Sequence, residues 1–188
     1  VTAADPGPDD GDLAAEALAG SEAAFASLMQ RHRSRVYRLI LNSVGDPDEA
    51  LDLVQETFLS AYRALGRYDG SRPMAAWLAT IALNKCRDLA RRRALRRFFF
   101  GARSVDEMAD SIATNGPDQA VAAEQRQETA RLRAAIAMLP ATLREPLLLC
   151  TVEEMRQSDA AALLGISTKA VETRIRRARI RLAELLDG

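Results

Sequence analysis

Along most of this chain apolar side chains return every three or four residues, the spacing that gathers them on one face of an α-helix. Phe25, Leu28, Met29, Val36, Tyr37, Ile40 and Leu41 form such a stripe, opened by Ser21 after the break at Gly20 and closed by Gly45-Asp46-Pro47. A second helix is predicted from Asp48 to about Leu65, with Leu51, Val54, Phe58 and Leu59 directed inward. Tyr68-Asp69-Gly70-Ser71-Arg72-Pro73 reads as a loop, and Pro73 suits the first turn of a third helix. In that helix Met74, Trp77, Leu78, Ile81 and Leu89 set the stripe, which assigns Trp77 to the core rather than to stacking on DNA. A shorter helix carrying Leu13 and Leu18 is predicted to begin near Asp12, after a Pro-, Gly- and Asp-rich start that should be disordered.

Periodicity weakens over residues 94–128, where Phe98-Phe99-Phe100-Gly101 and Asn115-Gly116-Pro117 bracket a polar, acidic tract. A linker is expected here. The three phenylalanines would either close the end of the first domain or await a partner. The pattern resumes at Asp118 in a helix ending at Leu139-Pro140. Thr142-Leu143-Arg144-Glu145 then reads as a capping box ahead of Leu147, Leu148, Leu149 and Val152. The expectation is an all-α fold of two small helical domains: a disordered acidic start at 1–12, a first domain at 13–97, a flexible linker at 98–117 and a second domain at 118–188.

The last stretch of the second domain carries the sharpest local signal. Ser158 offers an N-cap for a short helix, Gly165 suits a turn that needs positive φ, and Ser167 or Thr168 offers an N-cap for the next helix. In that helix Val171, Ile175, Ala178 and Leu182 face inward, while Lys169, Glu172, Thr173, Arg176 and Arg177 occupy the other side. A short helix, a glycine turn and a basic second helix make a helix-turn-helix, in which the second helix enters a DNA major groove.

Charge partition adds a second contact. The formal net charge of the 188 residues is zero, yet residues 84–103 hold eight basic side chains against one acidic, and residues 169–181 hold six against one. Two basic segments in a neutral chain point to two polyanion contacts. In the first, Asn84, Arg87 and Arg91 align on one helix face, flanked by Lys85, Arg92 and Arg93; arginine and asparagine suit phosphates and base edges. Asp48, Asp52, Gln55 and Glu56 make an acidic helix face without a basic residue at i+4, which reads as a docking surface.

Catalytic chemistry finds no support in the residue types. There is no Gly-rich phosphate loop and no metal-ligand cluster, and no cofactor is expected. His32, the only histidine, has no spacing partner and reads as a surface residue on a helix. Cys86 and Cys150 are isolated and read as small buried hydrophobes. No run of eighteen apolar residues occurs, which points to a cytoplasmic protein. The chain is expected not to be an enzyme and to have no small-molecule substrate. A hydrolase or transferase acting on nucleic acid would need a metal or nucleophile that is not evident.

Three stretches resemble region two of the extracytoplasmic-function sigma factors of bacterial RNA polymerase. They are Asp48-Glu-Ala-Leu-Asp52-Leu-Val-Gln55-Glu56-Thr-Phe58-Leu, Tyr68-Asp-Gly-Ser-Arg-Pro-Met-Ala-Ala-Trp77-Leu and Ile81-Ala-Leu-Asn84-Lys-Cys-Arg87-Asp88. Leu139-Pro140 together with Leu163-Leu-Gly165-Ile-Ser167-Thr-Lys169-Ala-Val171-Glu172-Thr-Arg174-Ile-Arg-Arg-Ala178-Arg179 resembles their region four. One departure is Ala160-Ala161-Ala162, where the family usually has Glu-Ile-Ala.

The resemblance implies a promoter-specificity subunit that recruits core RNA polymerase, through its β′ clamp helices and β, to promoter DNA. It implies Asp48, Asp52, Gln55 and Glu56 as core-polymerase contacts, and Asn84, Lys85, Arg87 and Arg91 as minus-ten contacts. It implies Lys169, Glu172, Thr173 and Arg176, with Arg174, Arg177 and Arg179, as minus-thirty-five contacts. An anti-sigma factor, which could hold the chain at the inner membrane, is implied as a further partner. The alternative reading is a free-standing helix-turn-helix activator or repressor, which would bind its site tightly without polymerase.

Overall fold

The computed structural model describes residues 8–100 and 117–187, which form eight α-helices and one short 3-10 turn, with no strand among them. The first seven residues and 101–116, most of the predicted linker, lie outside the described residues.

The first helix, α1 (Asp10–Leu18), starts earlier than its composition suggests. The Asp9 carboxylate accepts from the Asp12 amide at 2.8 Å, and Asp10 reaches both Arg31 (2.6 Å) and His32 (2.8 Å). Residues 9–12 are therefore helix and cap rather than a disordered tail. The same contact corrects the reading of His32, which is buried beneath α1 with its Nε2 against Asp10.

Ser21 caps α2 (Glu22–Val44) through the Ala24 amide at 3.2 Å, and Gly45 ends it at φ 82°, a left-handed conformation that suits glycine. Asp46 caps α3 (Pro47–Ala64) through the Glu49 amide at 2.9 Å, with Pro47 in its first turn. A 3-10 turn at Leu65–Arg67 follows. The inward face of α3 is Ala50, Leu53, Val54, Thr57, Phe58 and Ala61. Leu51 and Leu59, expected to face inward, are exposed. The small residues at 50, 57 and 61 give the helix its close-packed face, and a reading weighted by large side chains turns the stripe toward solvent.

The fourth helix, α4 (Met74–Phe100), continues through the arginine-rich tract where apolar periodicity lapses. Arginine, alanine and leucine are good helix formers, and propensity sustains α4 where packing no longer does. Its buried side includes Leu78, Ala79, Ala82, Leu83 and Cys86. Phe98 and Phe99 lie on its last turns and are 83% and 71% exposed, so they do not close the first unit. The helix runs beyond the boundary expected at residue 97.

The second unit comprises α5 (Pro117–Met138), α6 (Ala141–Thr151), α7 (Gln157–Leu164) and α8 (Thr168–Asp187). The predicted capping box is not formed. Helix α6 begins after Pro140 without a side-chain cap, and Glu145 is drawn instead to Arg87 of α4. A carboxylate with a guanidinium in reach makes a charge-assisted pair, stronger than a bond to a neutral backbone amide. Ser158 is not the cap of α7 either: Arg156 holds that position and Ser158 lies in the first turn.

The packing is organised around α2, which meets α1, α3 and α4 within the first unit and α5 and α6 from the second. Leu39 and Ile40 of α2, Leu83 of α4, and Leu148 and Leu149 of α6 belong to one buried apolar cluster. A smaller cluster of Leu139, Leu147, Ala161, Val171, Ile175 and Ala178 joins α6, α7 and α8. Ala160 and Ala161 are both buried, and their small side chains let α7 lie close to its neighbours at the site of the departure from the family pattern.

Candidate nucleic-acid interface

The position of α8 follows from three local devices. Gly165 ends α7 at φ 66°, Ile166 donates back to the Ala161 carbonyl at 3.1 Å, and the Ser167 hydroxyl accepts from the Ala170 amide at 3.1 Å. Val171, Ile175 and Ala178 are then buried against the second unit, which fixes the opposite face outward. On that face Lys169, Glu172, Arg176, Arg177 and Arg179 are exposed, and Thr173 and Arg174 are half-buried. Lys169 pairs with Glu172 at 2.9 Å, and the Thr173 hydroxyl donates to the Lys169 carbonyl at 2.9 Å. Arg174, Arg176, Arg177 and Arg179 make no ion pair with another described residue. The face therefore presents a neutralised N-terminal turn followed by uncompensated guanidinium groups.

Along α4 the predicted residues divide. Asn84 and Arg87 come together, with Arg87 Nη1 donating to Asn84 Oδ1 at 2.9 Å. The remaining donors of Arg87 take both oxygens of Glu145, Nε at 2.6 Å and Nη2 at 2.5 Å, and this bonding holds the guanidinium pKa above its ordinary value. Lys85 is turned the other way, 3.6 Å from Glu56 of α3, and Arg91 pairs with Asp88 on its own helix. Arg92 also approaches Glu56, and Arg93 pairs with Glu49.

The loop ahead of α4 is self-supporting. Asp69 accepts from the Ser71 amide at 3.0 Å and the Ser71 hydroxyl at 2.7 Å, bonds that hold its carboxyl below the usual range. Tyr68 donates to the Arg72 carbonyl at 2.6 Å, and its ring lies 5.2 Å from that of Trp77. These aromatics and Arg35, Arg72 and Arg156 line an open cleft of about 850 Å³ between the loop and the start of α7. Trp77 is thus half-buried and faces the cleft. Trp77 packs against the main buried apolar cluster, as its stripe predicts, and with Tyr68 and Arg72 it also lines this cleft, which the stripe alone does not reveal. The signal was present, since two aromatics and arginines interleave between 67 and 77, a pattern suited to unstacked bases.

On α3 Asp48, Asp52 and Gln55 are exposed, while Glu56 is half-buried toward α4. Beside them Phe25, Met29, Phe58, Leu59 and Tyr62 line a groove of about 470 Å³, with Phe25 and Tyr62 meeting edge to face at 4.9 Å. An acidic margin next to an apolar groove is the composition of a protein-docking surface.

Comparison with known proteins agrees with this division into two units. Residues 28–96 match the family described as Sigma-70 region 2, and residues 129–182 match Sigma-70, region 4. RNA polymerase sigma factor CnrH of Cupriavidus metallidurans is 44% identical over 96% of this chain and 97% of its own length. RNA polymerase sigma factor NccH of Alcaligenes xylosoxydans xylosoxydans is 38% identical over 98% of this chain and 97% of its own. The solved structure of CnrH in complex with the cytosolic domain of CnrY aligns with a TM-score of 0.69 at 35% identity, covering 95% of this chain and 97% of that one. Sigma factor RpoE in complex with the anti-sigma factor NepR from Bartonella quintana aligns with a TM-score of 0.69 at 25% identity, covering 87% and 96%.

The two cysteines lie outside these faces. Burial pushes the Cys86 thiol up to about 11, and burial also raises Cys150. A rise from 9.0 to about 11 cuts the thiolate of Cys86 about a hundredfold at neutral pH. Iodoacetamide at pH 8 should therefore label half-buried Cys150 before Cys86, and unfolding should expose both, as peptide mass mapping would show. Equal labelling of Cys86 in the folded and unfolded chains would contradict its burial.

Proposed function

This chain belongs to the extracytoplasmic-function group of the sigma-70 family, and from that premise we propose how its surfaces divide the work of directing core RNA polymerase to promoters. Helix α8 reads the minus-thirty-five element with Lys169, Glu172, Thr173 and Arg176, while Arg174, Arg177 and Arg179 hold phosphates. The observation that supports this reading is α8 itself: its register is set by the Ser167 cap and the buried Val171–Ile175–Ala178 face, and Arg174, Arg176, Arg177 and Arg179 make no ion pair among the described residues. The minus-ten element meets Asn84, Arg87 and Arg91, with Lys85 at the margin and the Tyr68–Trp77 cleft receiving unstacked bases. Asp48, Asp52, Gln55 and Glu56, beside the Phe25–Tyr62 groove, dock on the polymerase clamp helices.

The chain acts in the cytoplasm as a specificity subunit and carries out no catalysis of its own. An anti-sigma factor is its expected inhibitor, consistent with the two similar structures, each solved as a sigma factor with its inhibitory or cytosolic partner domain.

A side chain that reads a base edge contributes about 1–3 kcal/mol of discrimination, whereas a phosphate contact weakens every sequence alike. Transcription from randomised promoters should show Arg176→Ala relaxing preference at one or two minus-thirty-five positions. Arg179→Ala should lower promoter use without changing preference. An unchanged preferred sequence in Arg176→Ala would remove that residue from base reading. For the docking face, Asp52→Lys places like charge against a basic polymerase surface and should cost several kcal/mol of core binding. Because Asp52 is exposed and makes no ion pair among the described residues, helical circular dichroism should not change. Normal affinity for core polymerase in that variant would leave the face as ordinary surface.

A further inference from the structure

Helix α4 outlasts the unit that it packs into. Arg93, paired with Glu49 of α3, is the last of its described residues with a side-chain bond to another helix, and residues 94–99 are all exposed. At the α-helical rise, these six positions carry the helix about 9 Å past that tie. Leu95, Phe98 and Phe99, at 57%, 83% and 71% exposure, share one face because they stand three and four positions apart. Exposed apolar residues are ordinary singly, but three on one helix end make a patch. Around it residues 89–100 hold five arginines and no acidic residue. Arg91, Arg92 and Arg93 approach carboxylates, whereas Arg96 and Arg97 make no ion pair among the described residues.

This composition selects among occupants. A second copy would bring five more arginines against these five. A protein partner would have to supply the cavity, since neither cleft described above includes any residue of this end. Unstacked bases need a flat ring face, but Phe98 and Phe99 meet edge to face, with centroids 5.4 Å apart and planes at 88°. A fluid bilayer needs neither a cavity nor a stacking platform. Its acyl boundary accepts apolar side chains to a depth of about 5–10 Å, the reach of the projecting turns, and its anionic headgroups attract arginine.

We propose that the projecting end of α4 is a membrane-surface anchor. Leu95, Phe98 and Phe99 enter the acyl boundary of an anionic phospholipid bilayer, while Arg92, Arg96 and Arg97 hold headgroup phosphates. No described helix is long and apolar enough to cross a membrane, so the contact is with the surface alone. Three apolar side chains hold weakly, which makes the contact reversible. The chain has no net charge, so attraction to the bilayer is local to its basic segments. The outer face of α8 is one of these, and charge must therefore be separated from insertion.

Flotation of the full chain with sealed vesicles makes that separation. Vesicles of phosphatidylglycerol mixed with phosphatidylcholine should carry the wild-type chain, and vesicles of phosphatidylcholine alone should not. Phe98→Ser with Phe99→Ser keeps every charge, including those of α8, and should weaken binding about tenfold or more. Phe98→Trp with Phe99→Trp should bind as wild type does, and its fluorescence should shift to the blue when anionic vesicles are added. Arg96→Glu with Arg97→Glu should weaken binding as strongly as the serine pair. Met138→Ser, which removes a 70% exposed apolar side chain elsewhere, should change nothing. Both phenylalanines are exposed, so helical circular dichroism of the serine pair should match wild type. A wild-type chain that ignores anionic vesicles, or a serine pair that floats as wild type does, overturns the anchor. Without flotation, a dimer or a polymerase complex lost in the serine pair would assign the patch to a second copy or to a protein instead.

Discussion

The burial of α2 is the constraint on which the rest of the molecule depends. Leu28, Val36, Leu39 and Ile40 are all nearly inaccessible, and Ile40 is fully so. A single helix can hide that much apolar surface only if it has neighbours on several sides, so α1, α3 and α4 pack on it from one unit and α5 and α6 from the other. Side chains on those neighbours are then committed by geometry. Faces that do not meet α2 or its partners stay exposed, among them the acidic face of α3, the basic outer face of α8 and the end of α4.

Charge is distributed by the same logic. Where an arginine of the first unit lies near the seam it finds a carboxylate of the second: Arg87 with Glu145 and Arg35 with Glu153. Where an arginine lies far from the seam, as Arg176, Arg177 and Arg179 do, it has none among the described residues. Glu145 and Glu153 are buried, so removing either arginine would leave a carboxylate without its charged partner away from water, which is costly.

Much of this was legible in the sequence wherever the cause was local. Gly165 and Ser167 act on residues within four positions, so their roles as turn and cap were readable from the chain alone. The inner face of α8 was readable for the same reason. What was misread depended on partners far away in sequence. The expected surface His32 is buried because Asp10, twenty-two positions earlier, lies over it. The Thr142–Glu145 capping box gave way to Arg87, fifty-eight positions earlier, which offers Glu145 a charged partner. Leu51 and Leu59 were assigned inward because alanines at 50 and 61 carry little hydrophobic weight, although their small size is what draws α3 close. The continuation of α4 through its arginines was hidden because periodicity reports packing, and an unpacked helix gives no such signal.

Run-off transcription with purified core RNA polymerase tests the central claim most directly. The account predicts that core polymerase alone leaves a promoter with matched minus-ten and minus-thirty-five elements silent, and that adding this chain produces one defined transcript. It also predicts that the chain without polymerase retains that DNA poorly. Tight, dimeric binding of the chain alone, with no defined transcript when core polymerase is present, would contradict the account and favour a free-standing operator-binding regulator.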